Sequence, residues 1–474
     1  MLTVAAWSLI FMVVCGFIFR RWQSGVLMLL AYLPFSGAVT LSLYPSPLPI
    51  LIKDFYFVIP AYLAFFFRKD RRKDQGRVPG AVILALLALT IMVILQSFNP
   101  EVAGWLVAAI GAKVWLFYLP LLFLAYAMIE SRADIVHLLR LMIAIAWVPC
   151  LLGIVQWLAS KTFGYQATMM AFYGDAAEGA TQGFVSFNVG GSFYRIPSTF
   201  TFVTQYFGFT LAMLVPAYSL MKLDTSKKWR KFAVATFWLV IVASFMSGAR
   251  AAYVFMPLLI ILIYLFEGNF SGALKVAVIV PIGLLGAMSL AGIDPYMMFD
   301  MVSELFVDYS VDIAQKGLLD AISMAPFGTG TGMNTGAARY GFDNPLDFIG
   351  IENYYAKAVI ELGVVGLIVV VSIFFVLFKY GYREHRRMQS PGLRSCSAAF
   401  LAFIITMALN SFKGWQIDLD PINVYFWVFA GFMLKLPYLD KQDEVTKQEA
   451  GDASAVMPIR RPSLYGNAVR QSRI

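Results

Sequence analysis

Apolar runs recur along almost the whole chain, broken by short polar stretches. A helix needs about 20 apolar residues to cross a hydrocarbon core, and these runs reach that length again and again. They predict thirteen spans, at 2–19, 22–43, 48–67, 79–98, 105–129, 141–159, 204–221, 232–246, 251–266, 276–291, 355–378, 396–411 and 422–437. Helices follow because a segment in lipid must satisfy its own backbone hydrogen bonds. The short alternating segments of a β-barrel are not seen in the sequence. The opening MLTVAAWSLIFMVVCGFIF has no basic n-region and no A-x-A site, so it reads as a retained span. Were it tucked in or re-entrant, the count would be twelve.

The polar interruptions set the expected orientation. Taken alternately, 20–21, 68–77, 130–140, 222–231, 267–275 and 379–394 hold 21 Lys and Arg. The other set, 44–53, 99–113, 160–203, 247–250, 292–354 and 412–420, is longer and holds 8. The positive-inside bias places the first set in the cytoplasm and the N-terminus outside. Residues 1–437 are then one all-α polytopic membrane domain. Residues 438–474 are expected to be a polar, basic, disordered cytoplasmic tail. Two external loops, 160–203 and 292–354, exceed the usual loop length, a sign of function. The second carries a helical apolar stripe over 297–325 (Met298, Val302, Leu305, Tyr309, Ile313, Leu318), so it is expected to be partly helical.

Composition agrees: 60% of the 474 residues are hydrophobic and 14% charged. The net charge of +9 lies in loops, where a membrane protein needs it, so no nucleic-acid partner is implied. Cys15, Cys150 and Cys396 fall inside apolar spans with no metal spacing and no disulfide framework. His137 and His385 fall in cytoplasmic loops, and no metal or cofactor site is expected.

Candidate chemistry gathers on the external side, where charged groups at membrane depth are costly. Arg250, in S-G-A-R, opposes the inside bias, and its guanidinium offers a bidentate fork to an anion. Ser247 opens the same motif. Arg195, in F-Y-R-I-P-S-T-F, precedes a span, and Thr199, Thr204 and Gln205 follow it inward. E-N-Y-Y begins at Glu352, a candidate general base, with Asn353 beside it and Lys357 and Glu361 beyond. P-F-G-T-G-T-G-M-N-T-G (326–336) lacks a P-loop lysine and reads as a tight loop beside a ligand. Lys413, Trp415, Asp418 and Asp420 form a last external polar cluster suited to sugar. Each has an ordinary alternative: a turn, a snorkelling arginine, a helix cap or an interfacial aromatic belt.

Together these motifs resemble the O-antigen ligase and Wzy-type polysaccharide polymerase superfamily, bacterial inner-membrane glycosyltransferases of the GT-C type. The likeness covers about residues 190–380. Y-R-I-P-S-T-F is similar to the family's Arg-x-x-Gly-Thr-Phe element, with Ser198 where Gly is usual. S-G-A-R-A-A is similar to S-x-S-R-x-x. E-N-Y-Y-A-K-A-V-I-E-L-G-V-V-G resembles H-N-x-x-L-x-x-x-x-E-x-G-x-x-G, which sets Asn353 on the family Asn and Glu352 on the family's catalytic His.

The resemblance implies transfer of an undecaprenyl-diphosphate-linked oligosaccharide to an acceptor glycan, on the periplasmic face of the inner membrane. It implies no metal, no nucleotide and no other cofactor. Arg195 and Arg250 would hold the diphosphate and Glu352 would act as base. Ser247, Asn353, Thr199, Gln205 and Lys413 would contact substrate. The product would be an exopolysaccharide, capsule or O-antigen; membrane lipid, a chain-length regulator and a flippase would be partners. The alternatives are a flippase-like transporter of polysaccharide or lipid-linked oligosaccharide, and a non-catalytic assembly component. Transporters often show internal repeats and broken helices, and no convincing repeat is visible.

Overall fold

The computed structural model describes residues 2–44, 46, 48–68, 77–177, 185–188, 192–290, 317–335 and 352–455. In chain order the helices are α1 (Leu2–Arg20), α2 (Gln23–Tyr32), α3 (Ser36–Ser42), α4 (Ile59–Phe66), α5 (Gly80–Ser97), α6 (Trp105–Leu116), α7 (Leu121–Met128), α8 (Arg132–Phe163) and α9 (Tyr165–Tyr173). A small antiparallel hairpin follows, β1 (Val185–Asn188) and β2 (Ser192–Tyr194). The chain continues through α10 (Val203–Leu223), α11 (Lys227–Met246), α12 (Ala252–Phe266), α13 (Phe270–Leu290), α14 (Gly317–Met324), α15 (Tyr354–Arg387), α16 (Pro391–Asn410) and α17 (Ile422–Ala455).

Among the described residues, ten helices are long and apolar enough to cross a membrane, and three shorter apolar helices accompany them. Every one of the thirteen expected spans falls on one of these. The protein is a polytopic helical bundle. Its most buried helices are α10 and α17, while α5 turns Leu84, Leu87, Ile91 and Leu95 outward. An apolar outer wall costs nothing in lipid, whereas it would be prohibitive in water.

Several boundaries differ from expectation. Residues 130–140 are not a loop: α8 starts at Arg132 because Ser131 and Asp134 form a reciprocal capping box. The expected loop 160–203 is built from the end of α8, from α9 and from the hairpin. Of the expected 297–325 helix, α14 is seen and 297–316 lie outside the described residues. The tail is corrected most: α17 runs on to Ala455, so 438–455 are helical, where Asp440 accepts from the Gln389 and Ser390 amides at 2.8 and 2.9 Å. Residues 456–474 lie outside the described set.

The connecting segments sort into two ends, as the alternation requires. At one end Lys53 meets Asp420, Gln96 and Asn99 hold the 327–328 backbone, Ile196 meets Ser247, and Tyr354 meets Ser411. At the other, Arg140 pairs with Asp224, Arg132 reaches the Leu223 carbonyl and Asp443, and His385 meets the Phe266 carbonyl.

The glycine-rich run is clamped between α5, α6 and α15, and it breaks α15. Thr329 takes the Ile360 carbonyl with both its amide (2.7 Å) and its hydroxyl (2.9 Å). The Val364 amide, the carbonyl's ordinary helical partner, bonds the Pro326 carbonyl instead at 2.9 Å. Gly363 takes up the break at φ 77°. A Cβ there would lie 2.7 Å from the Phe327 carbonyl carbon, so only glycine fits. The N-terminal segment of α15, Tyr354 to Leu362, is thus a separate short helix.

Candidate functional site

Four segments meet at the first of these ends. The stretch before α10 is held by bonds in which its backbone takes part. The Ser198 amide donates to Gln156 Oε1 (3.0 Å), and Tyr173 donates to the Ser198 carbonyl. Tyr165 Oη donates to the Arg195 carbonyl at 3.1 Å. Ser198 sits in the left-handed region at φ 55°, which costs a side-chain-bearing residue strain that glycine would not bear. Its hydroxyl donates to the Pro149 carbonyl at 2.6 Å, a bond glycine cannot make.

The turn before α12 docks on this stretch. The Ile196 amide donates to the Ser247 carbonyl at 2.8 Å. Gly248 lets the Tyr194 carbonyl come within 2.3 Å of where a Cβ would stand. Arg195 and Arg250 are therefore brought together by backbone contacts between their own segments. Arg250 is exposed and Arg195 half-buried.

The third and fourth segments join in the same way. The Tyr354 amide donates to the Ser411 carbonyl at 2.9 Å, which sets Glu352 beside the loop between α16 and α17. Lys413 lies in that loop. Burial pushes its ammonium down to about 8, Arg195 and Arg250 push the same way, and Glu352 opposes them. Lys413 thus has both arginines and the glutamate within electrostatic reach. The four expected charged residues converge.

The neutral members of the expected site do something else. Asn353 caps α15 by accepting from the Tyr355 (2.9 Å) and Ala356 (3.1 Å) amides. Ser247 Oγ donates to the Ser244 carbonyl at 2.6 Å and is fully buried. Thr199 Oγ1 donates to the Pro34 carbonyl at 2.5 Å. Gln205 Oε1 accepts from Thr201 Oγ1 (2.7 Å), the Thr201 amide (3.1 Å) and the Phe202 amide (3.3 Å). These bonds help hold the charged segments in place. Glu352 is exposed.

Beneath the cluster lies an ionic layer that sequence reading missed. Lys53 pairs with Asp420 (2.8 Å) and lies 3.8 Å from Asp54. Lys113 pairs with Asp54 at 2.5 Å, and Tyr118 donates to Asp54 at 2.6 Å. Lys357 pairs with Asp418 and lies 4.5 Å over the Trp115 ring. Trp115 Nε1 (2.7 Å) and the Asn334 amide (3.0 Å) both donate to Glu361. Asp418 and Asp420, expected as sugar contacts, are spent on these lysines. The signal was available: Lys53, Asp54 and Lys113 are charges inside or at the edge of apolar runs.

An apolar groove of about 520 Å³ opens beside the cluster, lined by Leu318, Tyr355, Phe374, Ile404, Leu409 and Phe412 among others. Tyr355 and Phe412 line it next in sequence to Tyr354 and Lys413. A long apolar chain seated there would present its head to the basic cluster.

Compared with known proteins, the chain matches no family model and no curated protein.

Proposed function

We propose that this chain is a glycosyltransferase of the bacterial plasma membrane, of the polysaccharide polymerase or O-antigen ligase type. It moves an oligosaccharide from undecaprenyl diphosphate to an acceptor glycan on the face away from the cytoplasm. The observation that carries the reading is the meeting of Arg195, Arg250, Lys413 and Glu352, from four separate segments, at one end of the bundle. Two guanidiniums match the two negative charges of a sugar–diphosphate–lipid diester and would stabilise the diphosphate as it leaves. The groove beside Lys413 suits part of the lipid chain. Glu352 and Lys413 are the groups of the cluster able to take the acceptor's proton; the motif resemblance assigns that step to Glu352.

The test is Arg250→Ala in cells, with membrane levels matched to wild type. The reading expects the surface polysaccharide to collapse to single repeats or to lose its attachment. An unchanged chain-length distribution would refute it.

One observation favours a second reading, a transporter of lipid-linked oligosaccharide. α15 is broken at Gly363, and ion pairs lie in and around the spans at Lys53, Asp54, Lys113 and Lys357, as in carriers with discontinuous helices. Here the break is held by the 326–336 run rather than facing open space, which favours the enzyme.

A further inference from the structure

We propose that the groove between α15 and α16 grips only the three or four isoprene units nearest the diphosphate, and so sets a minimum length for the donor's lipid. This selectivity rests on the transferase reading above.

The lining decides what the groove can hold. Among the described residues that line it, Tyr355 alone has a polar side-chain atom, and that hydroxyl donates to the Ala408 carbonyl at 2.7 Å. A sugar or phosphate seated there would lose its water and gain no partner, whereas hydrocarbon leaves nothing unsatisfied. The wall is already built: the Tyr355 ring stands 4.6 Å from that of Phe412 and 6.2 Å from that of Phe374. On α15, Ile373 and Leu377 turn into the bundle, while Val371 and Phe375, which line the groove, are 46% and 58% exposed. The groove is therefore open along its side, and a chain can enter it from the bilayer and leave its far end there.

Charge sets the direction of the chain. The loop that carries Lys413 follows directly on the groove residue Phe412, at the end of the bundle where Arg195 and Arg250 come together. From there the lining descends to Phe378 on α15 and to Ile404 and Ile405 on α16. An anionic head on the basic residues sends its chain from Phe412 toward Phe378.

Two dimensions give the same length. From Leu367 to Phe378 the lining runs about 17 Å at 1.5 Å per residue. An isoprene unit adds four backbone bonds, about 5 Å when extended. The groove's volume is about 520 Å³. A carbon group takes about the same share of a liquid as water, roughly 30 Å³, so a five-carbon unit takes roughly 150 Å³. Length and volume both stop between three and four units. The rest of an undecaprenyl chain lies in the lipid, where its length has no bearing on binding.

The experiment uses the full chain in detergent at one fixed detergent concentration. The probes are polyprenyl diphosphates without sugar, of two, three, four and eleven isoprene units, and thermophoresis gives Kd. Kd should fall about tenfold from two units to four, as each unit adds carbon contacts, and should then agree within about twofold between four and eleven. Arg250→Ala should weaken every length by the same factor. Ile405→Trp fills the inner part of the groove and should raise the four-unit Kd to the two-unit value. Leu84→Trp, on the outward face of α5, should keep the wild-type series. A Kd that goes on falling to eleven units, or shows no step between two and four, would overturn the proposal, and that wild-type series decides alone if Ile405→Trp does not fold. A clear step in a protein that releases no diphosphate from lipid-linked oligosaccharide keeps the groove and sinks the transferase reading. Release without a step does the reverse.

Discussion

The segments that carry Arg195 and Arg250 are joined through their backbones. The Ile196–Ser247 bond and the close approach at Gly248 join their segments directly. Ser198 shows how tightly that stretch is built. It bears left-handed strain of about 1–2 kcal/mol and offsets part of it with the bond to Pro149. Ser198→Ala keeps the strain and loses the bond, so it should lower the unfolding temperature in detergent; Ser198→Gly should cost less, because the strain goes too. Equal losses would show that φ is not the issue. The charged residues that meet at this end were legible as candidates because they stand in ordered motifs on one predicted side. The hydrogen bonds that Ser247, Thr199, Gln205 and Asn353 make were not. A sequence does not tell a hydroxyl facing a cavity from one bonded to the backbone four residues away. Asp420 and Lys53 were equally hidden, since each looks like an isolated loop charge until the fold joins them.

At the scale of elements, the spans were legible because apolar length alone defines them, whereas helix ends depend on caps and on neighbours. The break in α15 is such a case. The 326–336 run was read as a ligand loop, and its described part proves to be a wedge whose carbonyls and amides replace a turn of α15. Gly363→Ala forces a Cβ against Phe327 at positive φ, with a cost of at least about 1–2 kcal/mol from the backbone alone. It should reduce folded yield in fluorescence size-exclusion, and a wild-type yield would contradict the wedge. At the other end, Asp224 holds the turn between α10 and α11. Burial works against its ionisation, but Arg140 and the Ser226 amide outweigh burial and lower it. A lowered carboxylate stabilises above its unfolded value, near 4, and that gain is lost as pH falls through the folded value. Asp224→Asn should therefore melt earlier than wild type at pH 7, and the gap should close as the pH is lowered past about 4.

For the whole molecule, the two sets of loops that the Lys/Arg bias separated are the two sets that the contacts gather. That agreement makes orientation testable with one reagent. In the proposed orientation, Gly414→Cys should label with a membrane-impermeant maleimide in intact cells, and Lys441→Cys, on an exposed position of α17, only after permeabilisation. The reverse pattern would place the basic cluster in the cytoplasm and contradict the proposed orientation.

In the proposed function the bundle breaks a sugar–diphosphate bond instead of carrying the intact lipid across. Purified protein in proteoliposomes, given the lipid-linked oligosaccharide from cells that lack it, separates the two by mass spectrometry of the lipid fraction. The account predicts free polyprenyl diphosphate together with glycan longer than one repeat, or glycan joined to a supplied acceptor, and neither product with Arg250→Ala. Intact donor moved to the opposite leaflet, with no diphosphate released, would contradict it.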